Sequence, residues 1–564
     1  PCNVARRRRV KVIRTDISGK RTELKKVLLT LESLPDETGS IFFSALVLQG
    51  FFILKENTMT SSVFTKINSV LDAIDGFVWG LPLIILILAT GIFLTIRLRG
   101  VQFSQLKFAI KSIFRKSDSK EGGELSSFKS LCTALSATIG TGNIVGVATA
   151  IALGGPGALF WMWLAALLGM ATKYSECLLA IHFREEKADG HILGGPFYTC
   201  EKGVGAKFPR LGKVLAILFA IFGTMVGLFG IGTFSQVNSI TTAVETFSST
   251  VVGGAALATV SIPGIGTYSV VVVIASIVLA ILAALVIIGG LKRISNVAAV
   301  IVPAMAVVYF VFGVFAVSCN ISHVTEAFER IFQGAFGFKA VAGGAVGAMI
   351  VAMQKGIARG IFSNEAGLGS APIAASAAKV DYAVQQGIIS MTGTFFDTIV
   401  ICTITGLTIV IGGILNPEIL DPEKFQGFAI TNAAFHALLP RIPGVVISFV
   451  LMACLILFAF TTILGWDYYS ERCIEYLSKG KMAPVKIYRW LYIAAIFIGP
   501  YMTVSAVWTI ADIVNGLMAI PNIISLLILN GIIVKLTADY FSGKRIYSIG
   551  YDFWNNPVAD SEQN

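Results

Sequence analysis

Three glycines, two threonines and an asparagine stand inside an apolar stretch, in the run SATIGTGNIVG from Ser136 to Gly146. Glycine lowers the cost of unwinding a helix, and freed amides and carbonyls are tolerated at membrane depth only where they face a cavity, an ion or a ligand. A second run of this kind, GIFSNEAGLGS, occupies residues 360 to 370. Two interrupted apolar segments in corresponding halves of a membrane protein indicate a transporter's binding site.

The backbone freed at such a break has defined chemistry. Amides at the start of the following half-helix carry partial positive charge, and unwound carbonyls are acceptors, so a break suits a ligand that bears both charges. We predict that the amides of Gly140, Thr141 and Gly142 bind a carboxylate, and we place Thr138 in the same pocket. The side-chain oxygen of Asn143 is a hard donor that suits sodium. The alternative is that these glycines only allow close helix packing.

The elements that hold these residues are membrane spans. Hydrophobic residues make up 55% of the 564 residues and charged residues only 14%, which excludes a soluble protein. Apolar runs near the ~20 residues that cross a bilayer recur throughout. The net charge of +11 does not indicate nucleic acid binding, because the basic residues lie in short loops and near the N-terminus without interleaved aromatic residues.

Cysteine and histidine usage argues against redox and metal chemistry. The eight cysteines include no CxxC pair and mostly fall in apolar segments, and the four histidines are scattered. We therefore expect neither a disulfide framework nor a zinc site. Neither HExxH nor GxxxxGK[ST] occurs, so a metalloprotease and ATP coupling are also disfavoured.

Hydropathy predicts eleven spans, and we set the first aside as an accessory helix. The other ten divide into a first repeat at 130 to 318 and a second at 342 to 535, each opened by a broken helix, in opposite orientation. This is the layout of an inverted repeat within a transmembrane domain of residues 59 to 540. The predicted spans lie at roughly 76 to 96, 130 to 153, 157 to 182, 212 to 244, 268 to 290, 297 to 318, 342 to 375, 386 to 413, 444 to 470, 489 to 506 and 509 to 535.

Positive charge predicts the orientation of these spans. Residues 97 to 129 carry eight Lys or Arg, 184 to 213 carry six and 472 to 489 carry five, whereas 246 to 267 carry none. By the positive-inside rule the basic loops are cytoplasmic, and so is the C-terminal tail at 541 to 564.

Residues 1 to 58 are set apart by composition. They include the run Arg6 to Arg9 and an apolar patch at 41 to 54 that is too short to span a bilayer comfortably. One interpretation is a basic targeting or amphipathic arm. The other, which we favour, is that synthesis starts at Met59, because an external arginine-rich arm opposes the positive-inside rule.

Four runs of the sequence match a known pattern: GTGNIVGVATAIALGGPGALFWMWLAALLGMATKYSECLLAIHFRE at 140 to 185, RGIFSNEAGLGSAPIAASA at 359 to 377, FDTIVICTITGL at 396 to 407 and FAFTTILGWDYYSE at 458 to 471. They resemble the alanine or glycine:cation symporter family, which is also called the sodium:alanine symporter family. The resemblance extends from about Met59 to Ile533 and implies an all-α leucine-transporter-type fold of ten core helices plus one. It also implies a bacterial or archaeal cytoplasmic membrane and sodium-driven import of alanine or glycine by alternating access, with no cofactor besides the transported cation.

The resemblance implies a second cation site between two helices. Backbone carbonyls of Ser136 and Ile139 and the hydroxyls of Thr461 and Thr462 would supply its oxygens. Without the resemblance, two threonines in a membrane helix more often bond back to their own carbonyls.

Further residues are expected to line the substrate pocket. By resemblance Gln236 faces substrate, although the family often has an asparagine three residues earlier, where this chain has Thr233. At the second break we place Phe362, Ser363 and Asn364 in the pocket.

Trp466 is a candidate for the wall of that pocket. It lies one helical turn beyond Thr462 and so on the same helix face. A bulky wall there would leave room for hydrogen or methyl but not for leucine, which favours glycine and alanine. The alternative is a tryptophan at the membrane interface.

Two acidic residues lie deep in apolar segments. A carboxylate at the depth of Asp397 is costly unless it is paired, so we expect it either to bind a cation or to orient Asn143. For Glu365, the candidates to neutralise it are Lys355 and Arg359 of the same segment.

Other functions remain open on the sequence alone. A transporter of another small solute, driven by sodium or by protons, is the nearest alternative, because a lone buried acid such as Asp397 can titrate. A channel lacks a repeated pore loop, and an enzyme lacks a nucleophile with its base or a metal cluster. We therefore expect no enzyme activity, and expect a small neutral amino acid, sodium and the lipid bilayer as partners, without nucleic acid.

Overall fold

The computed structural model describes residues 61 to 114, 123 to 187, 190 to 252, 257 to 262, 266 to 337, 344 to 502 and 504 to 543. The proposed arm at 1 to 58 lies outside them, as does the tail at 541 to 564 apart from its first three residues. Both remain predictions, as do the proposed domain boundaries.

The described chain is almost entirely helical, because a backbone in a bilayer must satisfy its hydrogen bonds within the segment. The first half contains α1 (Ser61–Val78), α2 (Leu81–Arg97), α3 (Val101–Ser104), α4 (Leu106–Ile113), α5 (Ser127–Thr138), α6 (Val147–Gly154), α7 (Ala158–His182), α8 (Pro196–Tyr198), α9 (Gly205–Lys207), α10 (Pro209–Phe229), α11 (Phe234–Val251), α12 (Val270–Ile287) and α13 (Gly290–Ser318). The remainder contains α14 (Val324–Phe336), α15 (Gly344–Asn364), α16 (Ala371–Ala375), α17 (Ala383–Thr394), α18 (Thr403–Leu415), α19 (Phe428–Leu438), α20 (Gly444–Leu477), α21 (Met482–Ile498), α22 (Val504–Ile528) and α23 (Asn530–Phe541).

Shorter elements complete the chain. Two antiparallel hairpins pair β1 (Glu185–Glu186) with β2 (Ile192–Leu193) and β3 (Thr259–Ile262) with β4 (Gly266–Ser269). Wider π-helical turns occupy Gly142–Gly146, Thr199–Val204 and Phe395–Cys402, and 3-10 turns occupy Ile321–His323, Pro417–Leu420 and Gly499–Tyr501.

The predicted spans are found in the structure. Within the described ranges, nine helices are long and apolar enough to cross a membrane, or ten when the bent pair α5 and α6 counts as one span. The remaining predicted span contains α15, a 21-residue helix that carries Lys355 and Arg359. Several boundary predictions were displaced; the spans expected from 297 and from 489, for example, begin at Gly290 and Met482.

The first predicted break is a bend between α5 and α6. Ser126 caps α5 by accepting a hydrogen bond from the Lys129 amide, and the helix ends at Thr138. Residues 139 to 141 interrupt it, and the chain then re-enters a π turn that continues into α6 at an angle of 49°. The break is therefore shorter than the run that predicted it, and Ser136 lies in the last turn of α5.

The second predicted break separates α15 from α16. It occupies residues 365 to 370, where Gly367 and Gly369 have φ of +92° and +83°. Glycine is suited to this left-handed region because it lacks a Cβ atom. Glu365 also has a positive φ, +57°, which is strained for a residue with a side chain.

The order of the spans forms two halves of five. Four spans lie between the two broken helices (α7, then α10 with α11, α12 and α13), so the broken helices enter the membrane in opposite directions. In the second half, α17 with α18, then α20, α21 and α22 follow the break in the same manner. Short helices follow the second span of each half, α8 and α9 in one and α19 in the other. This is the predicted all-α, leucine-transporter-type arrangement.

Candidate functional site

The two broken helices meet at their interruptions. A Cβ atom built on Gly142 would lie 2.9 Å from the Cα atom of Ser363. Only glycine allows two backbones to approach this closely, which explains the residue type at 142. The sequence runs that predicted the breaks therefore face each other in the fold.

Asp397 joins both breaks through its carboxylate. Asn143 Nδ2 donates to Oδ1 over 2.7 Å, and Ser363 Oγ donates to Oδ2 over 2.9 Å. The Thr398 hydroxyl also donates to Oδ2, at 2.7 Å. Asp397 is fully buried, and hydrogen bonds to a charged acceptor are the way in which a protein interior tolerates such a group.

A cysteine that sequence reasoning missed completes this cluster. Asn143 Nδ2 lies 3.3 Å from Cys402 Sγ, and the Ser363 hydroxyl lies 3.4 Å from the same sulfur. Asp397 and Cys402 are five residues apart, and the wide π turn Phe395–Cys402 brings them to the same side. Three- and four-residue helical spacing does not point to such a pair.

Three backbone amides were predicted to bind a carboxylate, and two of them donate hydrogen bonds to protein side chains instead. The Gly140 amide donates to Asn143 Oδ1 at 2.9 Å, and the Thr141 amide donates to Gln236 Oε1 at 3.1 Å. Gln236 Nε2 in turn donates to the Ile231 carbonyl at 2.9 Å. The predicted neighbours are therefore together, and the two amide side chains provide acceptors where a ligand's carboxylate was expected.

The two threonines of α20 differ in their contacts. The Thr462 hydroxyl lies 3.4 Å from the Ile139 carbonyl, across the first break, and 3.0 Å from the Phe458 carbonyl of its own helix. The Thr461 hydroxyl bonds to the Leu457 and Phe458 carbonyls and contacts the Met305 sulfur. Only Thr462 of the pair is thus hydrogen-bonded to the break.

Two further residues predicted for the first break bond within α5. The Ser136 hydroxyl donates to the Thr133 carbonyl at 2.8 Å, and the Thr138 hydroxyl donates to the Ala134 carbonyl. Ser136 nevertheless touches α20, because a Cβ atom on Gly465 would lie 2.8 Å from its hydroxyl oxygen.

Trp466 is buried rather than interfacial, with 1% of its surface exposed. Its ring packs edge to face on Tyr469, and a Cβ atom on Gly232 would lie 2.8 Å from its own Cβ. Gly232 belongs to the turn between α10 and α11, so α20 packs directly on the segment that leads to Gln236.

Asn364 holds the end of α15 in place. Its Oδ1 accepts the Ala366 amide at 2.9 Å, and its Nδ2 donates to the Thr398 hydroxyl at 3.0 Å. It therefore ties the second break to the Asp397 cluster.

An ion pair lies one helical turn from Ser363. Arg359 makes two parallel hydrogen bonds to Asp512 of α22, at 2.8 and 2.7 Å. Its guanidinium lies 4.9 Å from the centre of the Trp508 ring, and that ring packs on Phe362 at 5.1 Å. Arg359 and Asp512 also line a cavity of 560 Å³, bordered by α1, α6, α11 and α19.

A second polar network ties down the chain before α5. Glu124 accepts the Ile192 amide at 2.9 Å and lies 3.1 Å from His191 Nδ1. His191 Nε2 lies 3.3 Å from Glu475 at the end of α20. Because Glu475 belongs to the second half, this network joins both halves. Arg184 makes a separate link, donating to the carbonyls of Ser376 and Ala378 beyond α16.

In the described part of the chain, ten spans form two halves, and two glycine-rich helix breaks meet at one buried carboxylate. This arrangement defines a multi-pass membrane transporter. Within the described residues no cluster of three or more His, Cys, Asp or Glu side chains suits a metal centre. The chain belongs to the sodium:alanine symporter family, whose model matches residues 64–548. The resemblance predicted from the four sequence runs is therefore confirmed.

Three transporters with similar sequences support the same class. An uncharacterized transporter of Haemophilus influenzae is 48% identical over 85% of this chain and 97% of its own length. The sodium/alanine symporter AgcS of Methanococcus maripaludis is 45% identical over 83% and 96%. The probable sodium/glutamine symporter GlnT of Bacillus subtilis is 34% identical over 84% and 90%. The crystal structure of MhsT in complex with L-phenylalanine is also similar, with 14% identity, a TM-score of 0.49, and coverage of 74% of this chain and 99% of that chain.

Proposed function

We propose that this protein imports small neutral amino acids, alanine or glycine, together with sodium. The observation that carries this proposal is the convergence of both broken helices on the buried Asp397 carboxylate. Family membership and the name of the 45% identical relative, a sodium/alanine symporter, support the choice of solute and cation.

Oxygen atoms around the first break suit sodium, which is a hard cation. We place one ion near Asn143 Oδ1 and the Asp397 carboxylate, where a negative charge is already held by three donors. We place a second where the Thr462 hydroxyl faces the Ile139 carbonyl, with Ser136 and Thr461 as further candidates. Sodium bound at both places would hold the broken helix against α20 and against the π turn that contains Asp397.

The substrate's carboxylate would replace protein acceptors at the first break. In this proposal it takes the Thr141 and Gly142 amides, and Gln236 turns from the Thr141 amide toward the ligand. Phe362, Ser363 and Asn364 form the wall on the side of the second break. Trp466 limits the space for the side chain, because it is held by Tyr469 and by the backbone turn at Gly232.

Alternating access needs a barrier on each side of the site. We assign one to the Arg359 and Asp512 pair with its stacked Phe362 and Trp508 rings. We assign the other to the network of Glu124, His191 and Glu475. By the positive-inside rule the first barrier faces outward and the second faces the cytoplasm, with a cytoplasmic C-terminus in the cell's inner membrane.

The decisive experiment is uptake of labelled alanine by proteoliposomes that contain the full chain. An inward sodium gradient should drive accumulation that an equal potassium gradient does not, and excess glycine should compete. Accumulation that follows a proton gradient and ignores sodium would overturn the sodium assignment. Labelled glutamine is a necessary third solute, because one relative is named a probable sodium/glutamine symporter.

A further inference from the structure

A second set of buried charges lies behind the second break and has no part in the proposed transport sites. Lys173 and Glu176 of α7 are 2% and 3% exposed, and Glu365 is fully buried. Charged groups at such depth in a membrane protein are costly unless they are paired, and they usually have a function. Of the sequence-based candidates to neutralise Glu365, Arg359 pairs with Asp512, and Lys355 lines the cavity beside that pair.

Glu176 has several donors around its carboxylate. Its Oε2 accepts a hydrogen bond from Asn522 Nδ2 at 2.9 Å, and the backbone amides of Gly367 and Gly369 also donate to its carboxylate. The Lys173 ammonium lies 3.9 Å from its Oε1. Glu176 therefore binds the amides freed by the second break, and Lys173 balances its charge.

Glu365 has far fewer partners. Its Oε2 accepts a hydrogen bond from the Ser370 hydroxyl at 2.6 Å, and its Oε1 has no hydrogen-bond partner among the described residues. In the part of the chain that the structure describes, Lys173 Nζ, Glu176 Oε1 and the Tyr469 hydroxyl also lack one, and Trp466 Nε1 is a further donor close to Glu365. The ionisable groups that act on Glu365 are Lys173 from α7, Asp397 from the π turn and Tyr469 from α20, while α22 contributes only the neutral Asn522.

The balance of charge points to a proton. Around the second break one ammonium faces two carboxylates, and it lies 3.9 Å from Glu176, so a negative charge on Glu365 would have no counter-charge of its own. We infer that Glu365 is a proton-binding site linked to the transport cycle. A sodium ion is a poorer occupant, because the Lys173 ammonium repels it and because, in the described ranges, Ser370 is the only hydroxyl bonded to this carboxylate.

The position of Glu365 predicts how the proton responds to sodium. Asp397 lies within electrostatic reach of Glu365, and the proposed function places sodium beside Asp397. A positive charge added there stabilises the Glu365 carboxylate, so the carboxylic acid gives its proton to water as sodium binds, and it regains one when sodium leaves. Such coupling is reciprocal, so lowering the pH must weaken sodium binding.

The test measures protons released when sodium chloride is added to the detergent-purified full chain in weakly buffered solution with a pH-indicator dye, against choline chloride. Wild type should release up to about one proton per protein, and its apparent sodium affinity should fall by up to about tenfold per unit of pH. Glu365→Gln should abolish the release and flatten the pH dependence. The control Glu326→Gln, on an exposed helix face, should behave as wild type.

Two more variants keep the assignment open to refutation. Glu176→Gln should retain proton release, and loss there with release preserved in Glu365→Gln would overturn the choice of residue. Ser370→Ala removes the Ser370 hydrogen bond to the Glu365 carboxylate, so the midpoint of proton release should move to higher pH even if Glu365→Gln fails to fold.

Sodium binding itself is measured by how much sodium raises the thermal stability of the protein. No stabilisation by sodium would contradict the proposed function, whereas stabilisation without proton release would contradict only the proton site.

Discussion

Asn143 and Asp397 are joined by a 2.7 Å hydrogen bond from Nδ2 to Oδ1 that connects the first broken helix to the second half of the fold. The same Asn143 side chain accepts the Gly140 amide through Oδ1. One side chain is therefore hydrogen-bonded to both the break and the carboxylate. A cation bound at either one would contact groups from both halves of the fold through Asn143.

Replacing Asp397 tests whether this carboxylate supports sodium binding. Asp397→Asn keeps the size of the side chain but removes the charge and replaces one acceptor oxygen with a donor. A hydrogen bond to a charged group contributes about 1.5–3 kcal/mol, so we expect the sodium concentration for half-maximal uptake to rise about tenfold or more. The measurement is alanine uptake against sodium concentration, and an unchanged sodium dependence would contradict the role. Thermal unfolding with and without sodium separates lost binding from lost folding.

Gly140 and Gly146 form a matched pair of glycines at the first break. A Cβ atom at Gly140 would overlap the Thr462 hydroxyl, whereas the nearest atoms to a Cβ at Gly146 are 4.0 Å away. Forced displacement in a packed site costs about 1–3 kcal/mol, so Gly140→Ala should lower sodium-driven uptake by about tenfold or more. Gly146→Ala should transport normally, because its backbone is already helical. Equal activity of the two variants would show that the close contact at Gly140 is unimportant.

The Arg359 and Asp512 pair is expected to close one side of the site. Arg359→Gln with Asp512→Asn removes both charges, so neither is left buried alone, as the single variants would leave one. A two-pronged arginine and carboxylate contact contributes about 1.5–3 kcal/mol, so uptake should fall about tenfold while equilibrium alanine binding is kept. Proteoliposome uptake and binding to the purified protein give the two readings. Arg330→Gln, which breaks an exposed pair with Glu326, is the control, and wild-type uptake by the double variant would refute the barrier.

Much of the architecture could be predicted from the sequence, because a bilayer imposes simple demands on composition. Apolar runs of sufficient length gave the spans, and glycine clusters inside them gave both breaks. The pairing of Asn143 with a deep acidic residue was one of two alternatives kept for Asp397, and the structure contains that contact. Whether Asp397 also binds a cation stays a prediction.

What could not be predicted depends on distance along the chain or on unusual helix geometry. Arg359 and Asp512 are 153 residues apart, so nothing local indicated that they pair. Cys402 was missed because a π turn changes the spacing at which residues share a face. Lys173 and Glu176 are recognisable in the sequence as charged residues in an apolar run. Their role could not be predicted, because it depends on contacts with Gly367 and Asn522, which lie on other elements.

The network of Glu124, His191 and Glu475 provides a prediction about how stability depends on pH. Hydrogen bonds to Glu124 and Glu475 raise the pKa of His191 from the usual 6.5 to about 9, although the nearby Arg472 opposes this, and Lys187 also reaches Glu475. Because the pKa is raised in the folded protein, protonated His191 stabilises it fully below pH 6.5, and this contribution is lost as the pH rises through 9. His191 is partly exposed, so solvent screening reduces the effect to about 1–2 kcal/mol.

His191→Gln should therefore unfold at a lower temperature than wild type at pH 6, with a difference that disappears near pH 10. The charge is the relevant property, since glutamine keeps a donor and an acceptor but cannot be protonated in this range. His323→Gln, at an exposed histidine 3.9 Å from Glu326, should show no such trend and serves as the control. A difference that stays constant from pH 6 to pH 10 would mean that His191 contributes packing or neutral hydrogen bonds only. If the network closes the cytoplasmic side, the same variant should also raise the efflux of labelled alanine from sodium-loaded proteoliposomes at pH 6. At high pH its efflux should match that of wild type, because both proteins then lack the positive charge between Glu124 and Glu475.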